Sequence, residues 1–285
     1  MRNNALEQSI NTMMTPNHQL DLRSQHPNFQ FFLDINENES QRIRDNSLCH
    51  LDETYGDALL QSLDIFPSSV PNSPILVFIH GGYWRALDKR SYSFVAKPFV
   101  KNKITTCVIN YRLMPNVDMA TVLNDVAASI RWIQKKAFHY NGTSDKLVLC
   151  GHSAGGHLAL MTYLMNEDLR SNILAICSLS GIFDLGPIKN SYLNELLQLS
   201  AKDVDYYSVS NKDLAILTCP VLLSVGSEET HFFVEQSKSL YRENRSKAPI
   251  AYYEYPELNH YQIVHKLGEE DNPIVDFILE KMITQ

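Results

Sequence analysis

One serine in the sequence has the surroundings of a catalytic nucleophile. Gly151-His152-Ser153-Ala154-Gly155 fits the pattern Gly-x-Ser-x-Gly, in which the serine occupies a sharp turn between a strand and a helix. The preceding residues, Leu147 to Cys150, favour a β-strand, and the Ala, Leu and Met residues that follow favour a helix. Strand, turn and helix therefore meet at Ser153, which we predict to be the nucleophile.

A serine hydroxyl is a weak nucleophile, so it needs hydrogen-bond donors for the oxyanion that forms when it attacks a carbonyl. His80-Gly81-Gly82-Tyr83-Trp84 follows the apolar run Ile75 to Ile79, where this type of fold supplies such donors from the loop after its third strand. We predict an oxyanion hole from the backbone N–H of Gly81 or Gly82, together with that of Ala154.

The nucleophile also needs a histidine base and a carboxylate that orients it, and in an elbow fold the chain order is serine, acid, histidine. The apolar run Val221 to Val225 ends in Gly-Ser-Glu-Glu-Thr, so either Glu228 or Glu229 could be the acid. Asp184, which follows the preceding strand, is a second candidate for the acid. Its alternative role is to cap a helix or brace a loop.

Only three of the ten histidines follow all of these acids. His260 lies in a loop between the last strand and the last helix, where its ring is free to reach Ser153. His231 instead begins a helix beside the acid, and His265 belongs to a helical surface. We predict that His260 is the base.

Composition excludes several classes of protein. The 285 residues are 44% hydrophobic and 20% charged, with a formal net charge of −7 and no run of Lys or Arg that would follow a nucleic acid backbone. The five cysteines are scattered, which favours buried thiols in a reducing compartment, and no Cys/His cluster has metal-ligand spacing. Without an apolar leader or a run of about 20 apolar residues, we expect a cytoplasmic protein that has no membrane span.

Strand-like and helix-like segments alternate from Ile75 onward. This alternation predicts an α/β fold with a mostly parallel central sheet and helices on both faces. We expect residues 1–27 to be a polar leader that is either loosely ordered or draped over the surface, and residues 28–285 to form a single domain. The irregular segment 187–214 is either a small cap insertion over the active site or packed surface loop.

The two glycine motifs together resemble the α/β-hydrolase esterases of the kynurenine formamidase (arylformamidase) type, relatives of the hormone-sensitive lipase group. The resemblance extends over residues 30–280 and includes Tyr55-Gly56-Asp57, Asn110-Tyr111-Arg112-Leu113 and Ser180-Gly181-Ile182-Phe183-Asp184-Leu185. It implies a catalytic triad of Ser153, Glu229 and His260. The animal formamidases carry Asp at the acid position, whereas related esterases often carry Glu.

These observations predict a serine hydrolase that cleaves small carboxylic esters or aryl formamides through an acyl-enzyme, without a metal or organic cofactor. Tyr83 and Trp84, beside the oxyanion loop, are predicted to wall the substrate pocket or to serve in packing. The alternative is a catalytically silent α/β-hydrolase scaffold that binds a ligand or a partner. The sequence leaves open whether the protein is a monomer or a homodimer.

Overall fold

The computed structural model describes residues 15–283 and contains a single eight-stranded sheet. Its spatial order is β1-β2-β4-β3-β5-β6-β7-β8, and only the pairings of β2 with β1 and β4 are antiparallel. The predicted α/β-hydrolase architecture with a mostly parallel sheet is confirmed. The strands are β1 (His50–Thr54), β2 (Ser62–Phe66), β3 (Ser73–Ile79), β4 (Thr105–Ile109), β5 (Gly142–His152), β6 (Ile173–Leu179), β7 (Val221–Gly226) and β8 (Ile250–Tyr255).

Helices connect these strands and cover both faces of the sheet. Short 3₁₀ helices lie at Lys89–Val95, Ala137–Tyr140, Val209–Asn211, Leu214–Ile216 and Ile263–Gly268. The α-helices are α1 (Pro16–Leu20), α2 (Leu22–Gln25), α3 (Phe29–Asn46), α4 (Ala96–Lys101), α5 (Met119–Lys136), α6 (Ala154–Met165), α7 (Glu167–Arg170), α8 (Gly186–Lys189), α9 (Asn194–Leu197), α10 (Ala201–Tyr207), α11 (His231–Asn244) and α12 (Pro273–Ile283).

The sheet separates two hydrophobic cores because successive side chains of a strand point to opposite faces. On β5, Leu147 and Leu149 join the core that contains α5, α6 and α11, whereas Val148 and Cys150 join the core that contains α4 and α12. A strand that is buried on both faces has to be apolar throughout, which explains the unbroken apolar runs in the sequence.

The turn from β5 to α6 holds Ser153 in a strained conformation. Its φ of 57° and ψ of −121° belong to a region that side-chain-bearing residues rarely occupy, at a cost of about 1–3 kcal/mol. The backbone N–H of Ser153 donates to the carbonyl of Leu179 at 2.8 Å, which ties the turn to the end of β6. A Cβ on Gly155 would lie 2.0 Å from the backbone oxygen of Ile79, so the helix can approach β3 only because this residue is glycine.

The second half of the polar leader packs against the domain. From Thr15 onward the chain forms α1 and α2, and Leu20 is completely buried. The Gln19 carbonyl accepts a hydrogen bond of 2.9 Å from the Thr230 hydroxyl, and the Leu20 carbonyl accepts one of 3.0 Å from the Tyr83 hydroxyl. Residues 15–27 therefore pack against the rest of the domain. Residues 1–14 lie outside the described part of the chain.

The segment 187–214, for which the sequence left two interpretations, folds into short helices, and its Tyr192 lines the cavity at Ser153. It contains α9 and α10, and its apolar side chains Leu193, Leu197 and Val209 are buried in the core. A role as a cap over the active site stays a prediction.

Alanine at Gly155 should destabilise the fold. The added methyl group would overlap backbone atoms of β3, which cannot move without breaking the sheet, so we expect the free energy of unfolding of Gly155→Ala to fall by about 3 kcal/mol or more. The control is Gly186→Ala, where a Cβ would meet only the exposed Asp184 side chain, at 3.1 Å. Urea unfolding of both variants is the measurement. Equal losses would contradict the proposed role of Gly155.

Candidate active site

The residues that could do chemistry lie at the carboxyl ends of neighbouring strands. Ser153 follows β5, Glu229 follows β7 and His260 follows β8. Because these strands are parallel, their carboxyl ends share one edge of the sheet, where ligands bind in open α/β folds. The connectivity therefore brings together residues that are more than 100 positions apart in the sequence.

Glu229 and His260 form a buried hydrogen-bonded pair. The Glu229 Oε2 and His260 Nδ1 atoms are 2.6 Å apart, and the two residues are 8% and 3% exposed. A carboxylate accepts hydrogen bonds, so Nδ1 carries the proton and Nε2 keeps a lone pair. The Phe233 ring lies 4.1 Å from the His260 ring, measured between centroids, and helps to hold it in place.

Two further groups satisfy the Glu229 carboxylate, and sequence analysis did not single them out. The Ser180 hydroxyl donates to Oε1 at 2.5 Å, and the backbone N–H of Gly226 donates to the same oxygen at 2.8 Å. Ser180 has a φ of 51°, which turns the chain sharply after β6. With these hydrogen-bond donors, the Glu229 carboxylate needs no cation beside it. In the sequence, the only signal for Ser180 was its position at the end of an apolar strand.

Ser153 and His260 line the same cavity, which has a volume of about 310 Å³. Ser153 is 3% exposed and directly precedes α6, whose first residue is Ala154. The first N–H groups of a helix have no intrahelical acceptor, so the N–H of Ala154 is available to a bound atom. The Ala154 side chain itself is fully buried, and the residue is not among those that line the cavity.

The loop after β3 packs against the nucleophile elbow. A Cβ on Gly81 would lie 3.0 Å from the Ser153 Cβ, and Gly82 lines the cavity. Gly82, Tyr83 and Trp84 all have positive φ values, of 99°, 50° and 58°. Side-chain-bearing residues rarely adopt positive φ, so the loop is held in a strained, sharply turned conformation beside Ser153.

The two aromatic residues of this loop point in different directions. Tyr83 lines the cavity, whereas Trp84 is completely buried and is not among the lining residues. The Trp84 indole N–H donates to His157 Nδ1 at 3.2 Å, and His157 Nε2 donates to the Tyr207 carbonyl at 2.8 Å. Of the predicted pocket residues, only Tyr83 therefore borders the cavity directly, and Trp84 links the loop to α6.

His152, immediately before the nucleophile, contacts the candidate base. Its Nε2 donates to the His260 carbonyl at 3.0 Å, and the two rings are 4.7 Å apart. Burial, and after it the nearby His260 imidazole, lowers the pKa of His152 well below its usual value, so its ring is neutral. Because Nε2 is the donor, Nδ1 is an acceptor, and within the described chain it has no hydrogen-bond partner.

The other acids and histidines considered in the sequence lie elsewhere. Glu228 is exposed, and exposed Asp184 accepts a hydrogen bond of 2.8 Å from the Gly186 N–H, as a loop-bracing carboxylate would. His231 is the exposed first residue of α11, and His265 belongs to a 3₁₀ helix. None of these four residues takes part in the Glu229–His260 pair, and none lines the cavity that Ser153 lines.

The N-terminal segment forms one wall of the cavity, which the sequence did not indicate. Residues of α1, α2 and α3 account for a large share of the lining. Among them Asn36 is only 3% exposed, and its Oδ1 lacks a partner among the described residues. The lining residues from this segment are Leu20, Asp21, Leu22, Arg23, Phe29, Leu33 and Asn36.

A family model described as BD-FAE matches residues 63–243, which include the loop after β3, the elbow and Glu229. A kynurenine formamidase of Danio rerio is 30% identical over 254 residues, covering 86% of this chain and 85% of that protein. The chain belongs to the BD-FAE family and to the kynurenine formamidase group. A kynurenine formamidase of Salmo salar is 26% identical, with 85% of each chain covered.

Solved structures confirm the fold of this BD-FAE family member. Esterase B from Lactobacillus rhamnosis superimposes with a TM-score of 0.69 at 18% identity, covering 93% of this chain and 95% of that one. Together with the relatives, this confirms the prediction of an α/β-hydrolase of the esterase and formamidase class. Within residues 15–283, no helix is long and apolar enough to cross a membrane.

The buried His157 should make stability depend on pH. Burial lowers its pKa to about 4, below the value of about 6.5 expected in the unfolded chain. The stability that neutral His157 contributes is present above pH 6.5 and is lost as the pH falls toward 4. Between pH 7 and pH 5 this loss amounts to about 2 kcal/mol.

The measurement is urea unfolding of His157→Gln at both pH values. We expect its loss of stability on acidification to be about 2 kcal/mol smaller than that of the wild type, because Gln does not titrate. His139→Gln, which removes an exposed imidazole, is the control. A pH dependence that is unchanged in His157→Gln would contradict the assignment.

Proposed function

We propose that the chain is a serine hydrolase that cleaves small carboxylic esters or aryl formamides, with Ser153, Glu229 and His260 as its catalytic triad. The observation that carries this proposal is the 2.6 Å pair between Glu229 and His260 at the edge of a cavity that Ser153 also lines. The names of the relatives support the class of substrate.

In the first half of the reaction His260 acts as a general base. Because Glu229 accepts a hydrogen bond from the Nδ1–H of His260, the Nε2 lone pair of the neutral ring is available to take the Ser153 hydroxyl proton as Oγ attacks the substrate carbonyl. Glu229 then faces an imidazolium instead of a neutral ring, and its buried charge stabilises that state.

The oxyanion of the tetrahedral intermediate is stabilised by backbone N–H groups. We assign this role to Ala154 at the start of α6 and to the strained loop that contains Gly81 and Gly82. Such donors contribute most in a site from which water is largely excluded, and losing one typically costs about 100-fold in rate.

Collapse of the intermediate breaks the bond between the carbonyl carbon and the leaving oxygen or nitrogen, which takes the proton from His260. Water, deprotonated by the same imidazole, then attacks the acyl-enzyme and releases the acid together with free Ser153. No step of this reaction needs a metal ion or an organic cofactor.

The names of the relatives favour formamides among these substrates, because the relatives from Danio rerio and Salmo salar are kynurenine formamidases. In an aryl formamide the leaving group is an arylamine, whose nitrogen takes the proton from His260.

The substrate class is tested by comparing hydrolysis of N-formylkynurenine with that of short-chain nitrophenyl esters, using Ser153→Ala as the blank. We expect turnover of both, with a higher kcat/KM for the formamide, and no turnover by the variant. Turnover of esters alone would make the chain a general esterase. A serine-directed phosphonate that fails to label the wild type at Ser153 would indicate a catalytically silent scaffold.

The identity of the acid is tested by removing its charge. Glu229→Gln should lower kcat by about 10,000-fold, because an amide cannot stabilise the imidazolium and favours the wrong tautomer of His260. Asp184→Asn, which alters the rival carboxylate, is the matched control and should retain wild-type turnover. An active Glu229→Gln enzyme together with an inactive Asp184→Asn enzyme would overturn the assignment.

A further inference from the structure

The cavity at Ser153 contains two arginines for which the proposed reaction has no use. Arg23 lies on α2, and Arg85 follows Trp84 in the loop after β3. Neither guanidinium forms an ion pair with any carboxylate in the described residues. Arg23 is exposed to solvent and Arg85 is half-buried, and both line the cavity that Ser153 also lines.

Arg85 has an unsatisfied donor inside the protein. Its Nε atom is buried and has no hydrogen-bond partner in the described part of the chain. Leaving a buried donor of a charged group unpaired costs about 1–3 kcal/mol or more, and native structures rarely tolerate it without a reason. The Arg85 guanidinium therefore retains unused hydrogen-bonding capacity at the wall of the cavity.

The nearby acid does not neutralise the arginines. Asp21 is the only carboxylate among the residues that line the cavity, and it accepts hydrogen bonds from the Ser24 hydroxyl at 2.5 Å and the Ser24 N–H at 3.3 Å. Glu229 lies beyond His260 and is already hydrogen-bonded by three groups. Arg23 is positioned by Phe29, whose ring centroid is 5.1 Å from its guanidinium carbon.

Both arginines line the same cavity. Burial, and after it Asp21, raises the pKa of Tyr192, while the positive charges of Arg85 and Arg23 both oppose this rise. Tyr192 also lines the cavity and donates to the Leu20 carbonyl at 3.4 Å, which joins the helical segment of Arg23 to the insertion 187–214.

We propose that Arg85 and Arg23 form an anion subsite that binds a carboxylate on the leaving-group side of the substrate. This inference rests on the proposed function for the position of the scissile carbonyl at Ser153. A cavity of about 310 Å³ has room for a ligand the size of one substituted aromatic ring, so an aryl substrate attacked at Ser153 places a ring substituent near the arginines. The planar guanidinium suits the carboxylate, since it can donate two parallel hydrogen bonds.

The test uses two esters that differ in one charge, 4-acetoxybenzoate and its neutral isostere 4-acetoxybenzamide. For each enzyme the readout is the ratio of kcat/KM for the anionic ester to kcat/KM for the neutral ester. When this ratio is compared between wild type and variants, the different intrinsic reactivities of the two esters cancel. We expect this ratio to fall by about 10- to 100-fold in Arg85→Gln and in Arg23→Gln, because a charge-assisted hydrogen bond is lost. Arg85→Lys should give an intermediate ratio.

Arg90→Gln is the matched control, because Arg90 is exposed, lies in the same stretch of chain and does not line the cavity. It should keep the wild-type ratio. The proposal is overturned if Arg90→Gln lowers the ratio as much as Arg85→Gln, or if the double variant Arg23→Gln/Arg85→Gln changes it less than threefold. Thermal unfolding of each variant checks that the fold is intact.

Binding of the product separates this proposal from the proposed function. Calorimetry with 4-hydroxybenzoate and 4-hydroxybenzamide needs no catalysis, and we expect the anion to bind the wild type at least about tenfold more tightly than it binds Arg85→Gln. If the anion binds selectively but no ester is turned over, the anion subsite is supported and the proposed hydrolase function is refuted. If turnover depends on Ser153 but shows no preference for the anion, the hydrolase function is supported and the anion subsite is refuted.

Discussion

The constraint on which the site depends is the close approach of α6 to the carboxyl ends of β3 and β5. It forces Ser153 into a backbone conformation that costs about 1–3 kcal/mol, and the strain is supported by a hydrogen bond to β6 and by packing at Gly155. The same approach places the start of α6 beside the loop after β3. The proposed nucleophile and both proposed sources of oxyanion donors are therefore positioned by one packing arrangement.

Backbone strain recurs where neighbouring strands end. Positive φ values occur at Gly82 to Trp84 after β3, at Ser153 after β5 and at Ser180 after β6. Gly82, Tyr83 and Ser153 line the cavity, and the Ser180 hydroxyl donates to the Glu229 carboxylate. The large, doubly covered sheet supplies the stability that tolerates these local costs, since its two cores bury apolar side chains on both faces.

The N-terminal segment determines the shape of the cavity although it lies far from the nucleophile in the sequence. Its helices α1 and α2 are held by Thr230 next to the candidate acid, by Tyr83 of the oxyanion loop and by Tyr192 of the insertion 187–214. Because these anchors belong to different functional elements, the segment encloses the substrate space. It also carries Arg23, which the proposed anion subsite combines with Arg85 of the loop after β3.

The sequence by itself determined the features that depend on local spacing. The elbow at Ser153, the glycine loop after β3 and the alternation of strands and helices could be predicted because strand, turn and helix preferences act over a few residues. His260 could be predicted as the base from its place in a late loop. The choice between Glu228 and Glu229 came from the family resemblance, and the structure buries only Glu229 at the histidine.

Only the tertiary structure decided which distant residues meet. The hydrogen bond from Ser180 to Glu229, the burial of Trp84 against His157 and the wall formed by residues 20–36 all join segments that no local pattern connects. Arg23 and Arg85 are 62 positions apart, and nothing in their sequence surroundings indicates that they face one cavity. The physical reason is that long-range packing of the whole chain fixes such contacts, whereas turn and strand preferences operate within a few residues.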